Sequence, residues 1–442
     1  EATCSAPARP SNRAMSFHWL TDAELDPHPP FTWLTACCFD LAVRAVVRNA
    51  EIIPPDFRVA PGTLVVSNHL RDCDVPVLTA VLCRRRGMRI LNPLPFCAAR
   101  EDLFRRGFIG DLLQTWPRPV TWMLGRVPLA GLFRILRVQP IRRIREFTFG
   151  ETLAALRAAG FGATRPEDLL CARGLHELES VVGALPARLD AIDETQLAAL
   201  RLAQWGLRRL RVDVLRALAP AFRATISGQI GRLVELISTG RVVYLAPEGV
   251  TSRSGRFGGV RAGAWQVYRR CAKPPPVLPV ALSYDPLCRG RMRAIVAIGK
   301  TIPAIDAACR REFDARLRVE ILRLSAVTCS HLASRFIAAG PRQFTTQRFS
   351  LWLRHAARAA QQGGLTVDPL LRHAVADDLA DERLAWLARR ELIAPAGTGW
   401  RNRWPSDVEP AWATPAGVVS YLHNALDDLA TLDSGLAGKL AP

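Results

Sequence analysis

The sequence predicts an α/β fold: a mixed sheet flanked by helices, with a helical insertion and a mainly helical C-terminal region. Three observations carry this expectation. Short apolar runs of four to eight residues, bounded by Gly, Pro or charge, recur between positions 63 and 298, as buried strands do. Helix-like stretches separate several of these runs, which favours a sheet covered by helices. A long Ala/Leu/Arg-rich segment interrupts the series, and helical character returns from about position 305.

In chain order, residues 1–30 read as an N-terminal tail, Ala/Pro/Ser-rich over 1–14 and lacking the apolar stretch of a signal peptide; Met15 is a candidate native start. Phe31–Val47 is apolar but broken by Asp40 and Arg44, and Val120–Leu136 is broken by Arg126, Pro128 and Arg134. No window of eighteen apolar residues exists, so both read as interfacial or core segments rather than membrane spans. Thr63–Asn68, Met88–Leu91, Leu136–Ile141, Arg241–Ala246, Val277–Ser283 and Met292–Ile298 read as strands, and Pro76–Arg85 as a helix. Residues 31–150 and 229–304 are therefore expected to form one domain in two parts.

The insertion spans 151–228. Leu200, Ala203, Leu207, Leu210, Val214 and Ala217 keep a three-four spacing, with Arg201, Arg208, Arg209, Arg211 and Arg216 between them. This predicts one amphipathic helix packed on its own domain with a solvated arginine face; a membrane-surface helix is the alternative. Residues 305–442 form the last region. Leu384–Arg390 and the following Gly-Thr-Gly-Trp stretch suggest the helix and wing of a small winged-helix module, with an all-helical cap as the alternative.

Composition narrows the function. The 442 residues carry 59 Lys+Arg against 40 Asp+Glu, a net charge of +19, and lysine occurs only at 273, 300 and 439. Such an excess points to anionic partners: nucleic acid, phospholipid headgroups or phosphate-bearing substrates. With 49% of residues apolar, a collagen-like fibre or a disordered acidic chain is excluded. The eleven cysteines form no C-x-x-C pair, so they read as reduced core residues of a cytosolic protein.

Two constellations carry chemistry. Asn68-His69-x4-Asp74 follows a strand-like run directly, which suits a histidine base whose tautomer a carboxylate fixes. His373–Asp378 and His423–Asp428 share the five-residue offset but lie in helix-like segments, so the spacing alone carries little. The second constellation is a strand ending in Ala246-Pro247-Glu248-Gly249, followed by Thr251, Ser252 and Arg253. Backbone amides and guanidinium forks in that order suit a phosphate.

Together these residues resemble the glycerolipid acyltransferase superfamily, typified by the 1-acylglycerol-3-phosphate acyltransferases. His69 and Asp74 match its first motif, Pro247-Glu248-Gly249 its third and Leu278-Pro279-Val280 its fourth. Arg137-Val-Gln-Pro140-Ile141-Arg-Arg143 best meets the second, with Arg137 in place of its glycine and the phosphate ligand either Arg142 or Arg143. Ala246 and Val250 replace the usual phenylalanine and threonine of the third motif, and Glu248–Gly255 has the E-G-x-x-S-R-x-G order of glycerol-3-phosphate acyltransferases.

The resemblance implies His69 as general base with Asp74 behind it, and an acceptor phosphate held by Arg143, Glu248, Gly249, Thr251 and Arg253. It implies a donor, acyl-CoA or acyl carrier protein, and a lysophospholipid acceptor, chiefly 1-acylglycerol-3-phosphate. Glycerol 3-phosphate and an amino-acid-derived lysolipid are alternative acceptors, and an inactive peripheral membrane protein is the non-enzymatic alternative. The expected location is the cytoplasmic face of an anionic membrane, peripherally bound. No cofactor or metal is expected, and no G-x-S-x-G nucleophile motif occurs. Gly299-Lys300-Thr301 ends like a P-loop, but position 294 is Ala. Nucleic acid is not an expected partner, because the arginine groups at 84–86, 134–145 and 289–293 lack interleaved aromatics.

Overall fold

A computed structural model describes residues 33–34, 36–37, 40–41, 43–44, 47–52, 57–83, 85–86, 89–90, 92–100, 137–143, 146–200, 206–373, 376–405, 407–433 and 435–442. Residues 1–30, Val120–Leu136, Arg201 and Ala203 lie outside them. The strands are β1 (Arg48–Ile52), β2 (Leu64–Ser67), β3 (Arg85–Arg86), β4 (Arg89–Ile90), β5 (Phe96–Arg100), β6 (Val138–Ile141), β7 (Val243–Leu245), β8 (Val277–Asp285) and β9 (Arg293–Ile298). Seven of them form a mixed sheet in the order β1-β9-β8-β2-β7-β5-β6, in which only the β8–β9 pairing is antiparallel. The fold is thus α/β, with helices against both faces.

The period-two alternation of strand side chains builds a core on each face. Leu64 and Val66 of β2 join a cluster with Val243, Leu245, Trp265, Phe313 and Leu317. Val65, between them, joins the opposite cluster with Val77, Leu78, Val81, Tyr244 and Leu278. Helix α1 (Asp74–Leu82) covers the second face. It starts earlier than the apolar run suggests, because Asp74 itself opens the first turn.

Two strands escape a reading by apolar runs. β5 is Phe-Cys-Ala-Ala-Arg, poor in β-branched residues, and β1 is an edge strand of polar Arg-Asn-Ala-Glu-Ile; neighbouring strands, rather than propensity, recruit both. The Met88–Leu91 run gives only β4, paired with β3 in a separate hairpin, so it adds nothing to the main sheet.

The insertion has its own core of Phe147, Phe149, Leu153, Leu178, Leu197, Leu200, Leu207, Leu210, Val214, Leu218 and Phe222. Its helices are α2 (Phe149–Leu156), α3 (Pro166–Leu169), α4 (Ala172–Val182), α5 (Glu194–Leu200) and α6 (Val212–Ser238). The single helix expected through Leu200–Ala217 is not one helix. Leu200 is the last described residue of α5, Leu207 sits in a short 3-10 turn, Leu210 bridges to Leu170, and α6 begins at Val212. A Cβ at Gly206 would stand 2.3 Å from the Thr148 carbonyl, and the Gly206 amide donates to the Phe147 carbonyl at 2.8 Å, so the 3-10 turn is seated against the start of α2. The apolar positions still share one core, which spacing alone reads correctly. Arg209 is buried and paired with Glu177 at 2.6 Å rather than solvated. Beyond Phe222, α6 passes position 228 without a break and buries Ile230, Leu233, Leu236 and Ile237 against the sheet.

Helix α7 (Ala262–Arg270) lies between β7 and β8; after β9 come α8 (Arg310–Leu324), α9 (Cys329–Ala339), β10 (Gln343–Phe344), α10 (Thr346–Gln362), α11 (Pro369–His373), α12 (Ala376–Arg389), β11 (Ile393–Ala396), β12 (Gly399–Asn402), α13 (Pro415–Ala430) and α14 (Leu436–Lys439). β10, β12 and β11 form a small antiparallel sheet in that order. This region is not free of the sheet domain. Leu332, Phe336, Phe349, Leu384, Leu422 and Leu426 continue the same buried cluster as Leu64 and Phe313. The fully buried Arg383 of α12 pairs with Asp285 at the end of β8 at 2.7 Å.

Candidate active site

β2 and β7 are parallel neighbours in register, Leu64 against Val243 and Val66 against Leu245. Their C-terminal ends therefore open on the same edge, where α/β sheets hold their ligands. β2 delivers Asn68-His69 there, and β7 delivers Pro247-Glu248-Gly249, bringing together residues nearly 180 positions apart in the sequence.

Asn68 is buried and its amide replaces a strand backbone. Its Nδ2 donates to the Leu282 carbonyl at 2.8 Å and its Oδ1 accepts from the Leu282 amide at 2.8 Å. The ladder to β8 is satisfied by a side chain, so the main chain at His69 can leave the sheet. His69 Nδ1 stands 3.0 Å from Asp74 Oδ2. A neutral imidazole beside a carboxylate carries its proton on that nitrogen, which leaves Nε2 as the basic atom. Among the described residues nothing bonds Nε2, and the ring is 20% exposed.

Asp74 is fully buried at the start of α1. Oδ2 also accepts from the Leu70 amide at 2.5 Å and the Arg71 amide at 2.9 Å, and Oδ1 accepts from the Tyr284 hydroxyl. Burial, together with the charge of Asp74, holds the Tyr284 phenol protonated well above the ordinary tyrosine range, so it acts as a donor. Burial likewise pushes up the neighbouring Cys73 thiol, which disfavours a thiolate at neutral pH.

Glu248 is 1% exposed. Oε2 accepts from the His69 amide at 2.8 Å and Oε1 from the Gly258 amide at 2.6 Å. Burial raises its pKa to about 7. Both oxygens are engaged on backbone, so Glu248 clasps the histidine loop to the following turn. Gly249 takes φ +65°, in the left-handed region that favours glycine. The Ser252 amide donates to the His69 carbonyl at 2.7 Å, tying the two loops again.

Arg143 and Arg142 diverge at the end of β6. Arg143 Nη1 donates to the Gly249 carbonyl at 2.8 Å, while its Nε and Nη2 pair with the buried Glu146. Arg142 turns to the insertion, pairing with Glu151 at 2.5 Å and lying over the Phe147 ring. Arg137 stands where the second motif has glycine and takes φ +54°. Its Nη1 donates to the Leu94 carbonyl at 3.1 Å, and its guanidinium lies 5.1 Å from the Phe96 ring centroid. These contacts oppose the roughly 1–2 kcal/mol that a left-handed residue with a Cβ costs. Thr251 is half-buried and Arg253 exposed; among the described residues neither side chain has a hydrogen-bond partner. Leu278-Pro279-Val280 lie in β8 opposite Val65-Val66-Ser67.

The other H-x4-D pair on a described helix shows why offset alone misleads. His423 of α13 faces Asp427 at 3.6 Å, not Asp428. On a helix, position i+4 shares a face with i, and i+5 does not. His69 and Asp74 meet because a loop and a helix start lie between them.

Several site residues carry no motif. α13 closes over the turn: the Phe257 amide donates to Asp428 Oδ2 at 2.7 Å, Asn424 Nδ2 to the Ser254 carbonyl at 3.1 Å and the Tyr421 hydroxyl to the Leu70 carbonyl at 3.4 Å. Trp412 stacks under the Arg71 guanidinium at 4.3 Å. A Cβ at Gly255 would stand 2.0 Å from the Tyr421 carbonyl, so glycine is required for this approach. Tyr284 had one signal in the sequence, a phenol near the end of a largely apolar strand, where its hydroxyl needs a buried partner. Among the described residues no group of three or more His, Cys, Asp or Glu could hold a metal ion.

No family model matches the chain. No curated protein matches it in sequence. Among solved structures, the chain is similar to the 1-acyl-sn-glycerophosphate (LPA) acyltransferase, PlsC, from Thermotoga maritima, at 12% identity over 67% of this chain and 80% of that one, with a TM-score of 0.32.

Proposed function

We propose that the chain is an O-acyltransferase. It moves a fatty acyl group from the thioester of acyl-CoA or acyl carrier protein to the hydroxyl of a lysophospholipid, with 1-acylglycerol-3-phosphate as acceptor and phosphatidic acid as product. The observation that carries this reading is the His69–Asp74 pair at the sheet edge, its Nε2 open beside the Pro-Glu-Gly turn. His69 Nε2 takes the hydroxyl proton as the oxygen attacks the thioester carbonyl. The tetrahedral intermediate then expels the thiolate, which takes the same proton back. Asp74, held by three further donors, offsets the imidazolium charge in between. A base so placed contributes about 10²–10⁴ in rate.

The acceptor phosphate is assigned to the Pro-Glu-Gly turn and the Thr251–Arg253 segment after it, with Arg143 bonded to the Gly249 carbonyl of the turn. The order of Glu248–Gly255 favours glycerol 3-phosphate as the second reading. The net charge of +19 supports a peripheral location on an anionic, cytoplasmic membrane face. Among the described residues no helix is long and apolar enough to cross a membrane. Purified protein given long-chain acyl-CoA and either acceptor tests the reaction and separates the two readings. His69→Ala should lose at least about 10²-fold in kcat; undiminished turnover in that variant would refute the mechanism.

A further inference from the structure

Arg143 and Arg261 contact the turn at Glu248–Gly249, Arg253 and Arg256 lie on the loop that follows it, and their charges are not equally available. Arg143 is neutralised by Glu146, which is itself buried, and its remaining fork is committed to the Gly249 carbonyl. Arg256 lies 3.8 Å from Asp427. Arg253 and Arg261 are exposed, and among the described residues neither faces a carboxylate.

Arg261 differs from Arg253 in being anchored. Its amide donates to the Pro247 carbonyl at 2.7 Å and its Nε to the Glu248 carbonyl at 3.3 Å. Its Cγ lies against Gly249, 3.3 Å from where a Cβ would stand. The stem is fixed along the turn, and both terminal nitrogens stay open. Arg261 and Arg143 together occupy the carbonyls of Pro247, Glu248 and Gly249, so no turn carbonyl is left to repel an anion. Among the described residues the amides of Val250 and Thr251, next in the chain, have no acceptor.

We infer that Arg261 supplies the guanidinium that binds the acceptor's phosphate monoester, and that Arg143 is a strut holding the turn. This rests on the acyltransferase reading for its substrate, though not for its geometry. A planar fork held at two points loses little entropy on gripping a phosphate with paired bonds. The site lies beside the base, because Glu248 bonds the His69 amide and Ser252 the His69 carbonyl.

The test compares Arg261→Gln, Arg261→Lys and Arg143→Gln by two readouts. In turnover with acyl-CoA, Arg261→Gln should raise KM for 1-acylglycerol-3-phosphate about 10- to 100-fold, the loss expected for a charge-assisted pair. Its preference for that acceptor over uncharged monoacylglycerol should fall by the same factor, and Arg261→Lys should recover part of it. Arg143→Gln should instead lower the melting temperature and impair both acceptors alike. The second readout is binding of glycerol 3-phosphate and of inorganic phosphate by calorimetry, without acyl donor; binding of both marks a site for the bare phosphate group, and binding of the ester alone a site that also reads the glycerol. If the wild type transfers acyl groups to no acceptor but Arg261→Gln abolishes glycerol 3-phosphate binding, the proposed reaction fails and the inference stands. No phosphate or glycerol 3-phosphate binding by the wild type, unchanged binding and KM in Arg261→Gln, or an acceptor-selective loss in Arg143→Gln would overturn it.

Discussion

Glu248→Gln replaces a buried carboxylate by its neutral isostere, and its effect should depend on pH. The carboxylate accepts the His69 and Gly258 amides, one on each oxygen. Glutamine offers one acceptor and one NH2, so one of those amides faces a donor. That mismatch costs about 1–3 kcal/mol at every pH. The wild type carries a cost of its own, because burial raises the Glu248 pKa from 4.5 to about 7. Between those values the folded protein holds a proton that the unfolded chain has released. Stability therefore falls as pH rises through this window, and the penalty is complete above pH 7. A shift of that size corresponds to about 3 kcal/mol, most of it developing between pH 5 and pH 8. The variant lacks this slope. Urea denaturation of both proteins at pH 5, 6, 7 and 8 measures it, since titrating groups not coupled to Glu248 cancel in the difference. The stability advantage of the wild type should shrink by about 2–3 kcal/mol across the series. A difference independent of pH would refute the claim that Glu248 sits in a desolvated clasp.

Two further outcomes follow from the same site. Tyr284→Phe removes one donor to Asp74, so it should lower kcat about tenfold while leaving the acceptor KM near its wild-type value, and cost about 1.5–3 kcal/mol of stability in thermal melts. Gly255→Ala forces a Cβ into the Tyr421 carbonyl at left-handed φ; it should detach the turn from α13, cost at least about 1–3 kcal/mol and reduce turnover with either acceptor, measured by melting temperature and by the acceptor assay.

Legibility in the sequence varied with the kind of information each residue carries. His69, Asp74 and Glu248–Gly249 were visible because their chemistry requires particular residue types at short, fixed offsets beside strand ends. β2, β7 and β8 were visible because strands buried on both faces are largely apolar. β1 and β5 were not, since a sheet can recruit an edge strand of Arg-Asn-Ala-Glu-Ile or a run of Phe-Cys-Ala-Ala-Arg by pairing alone. The Leu200–Ala217 pattern marked buried positions correctly and the backbone wrongly, because burial follows side-chain placement and a 3-10 turn can preserve it.

By itself, then, the sequence determined an α/β sheet and the positions of a candidate base, its carboxylate and a glycine turn, since these depend on local order along the chain. Only the tertiary structure decided what each charged group faces. It turned Arg142 to the insertion and paired Arg143 with Glu146. It engaged both Glu248 oxygens on backbone and brought Tyr284, Trp412 and Tyr421 to a loop that lies 210 to 351 positions away in sequence. Charge along a sequence can be counted, but whether an arginine is available to a phosphate depends on the carboxylate that folding sets beside it. That partner is fixed by packing across the whole chain, which no local pattern records.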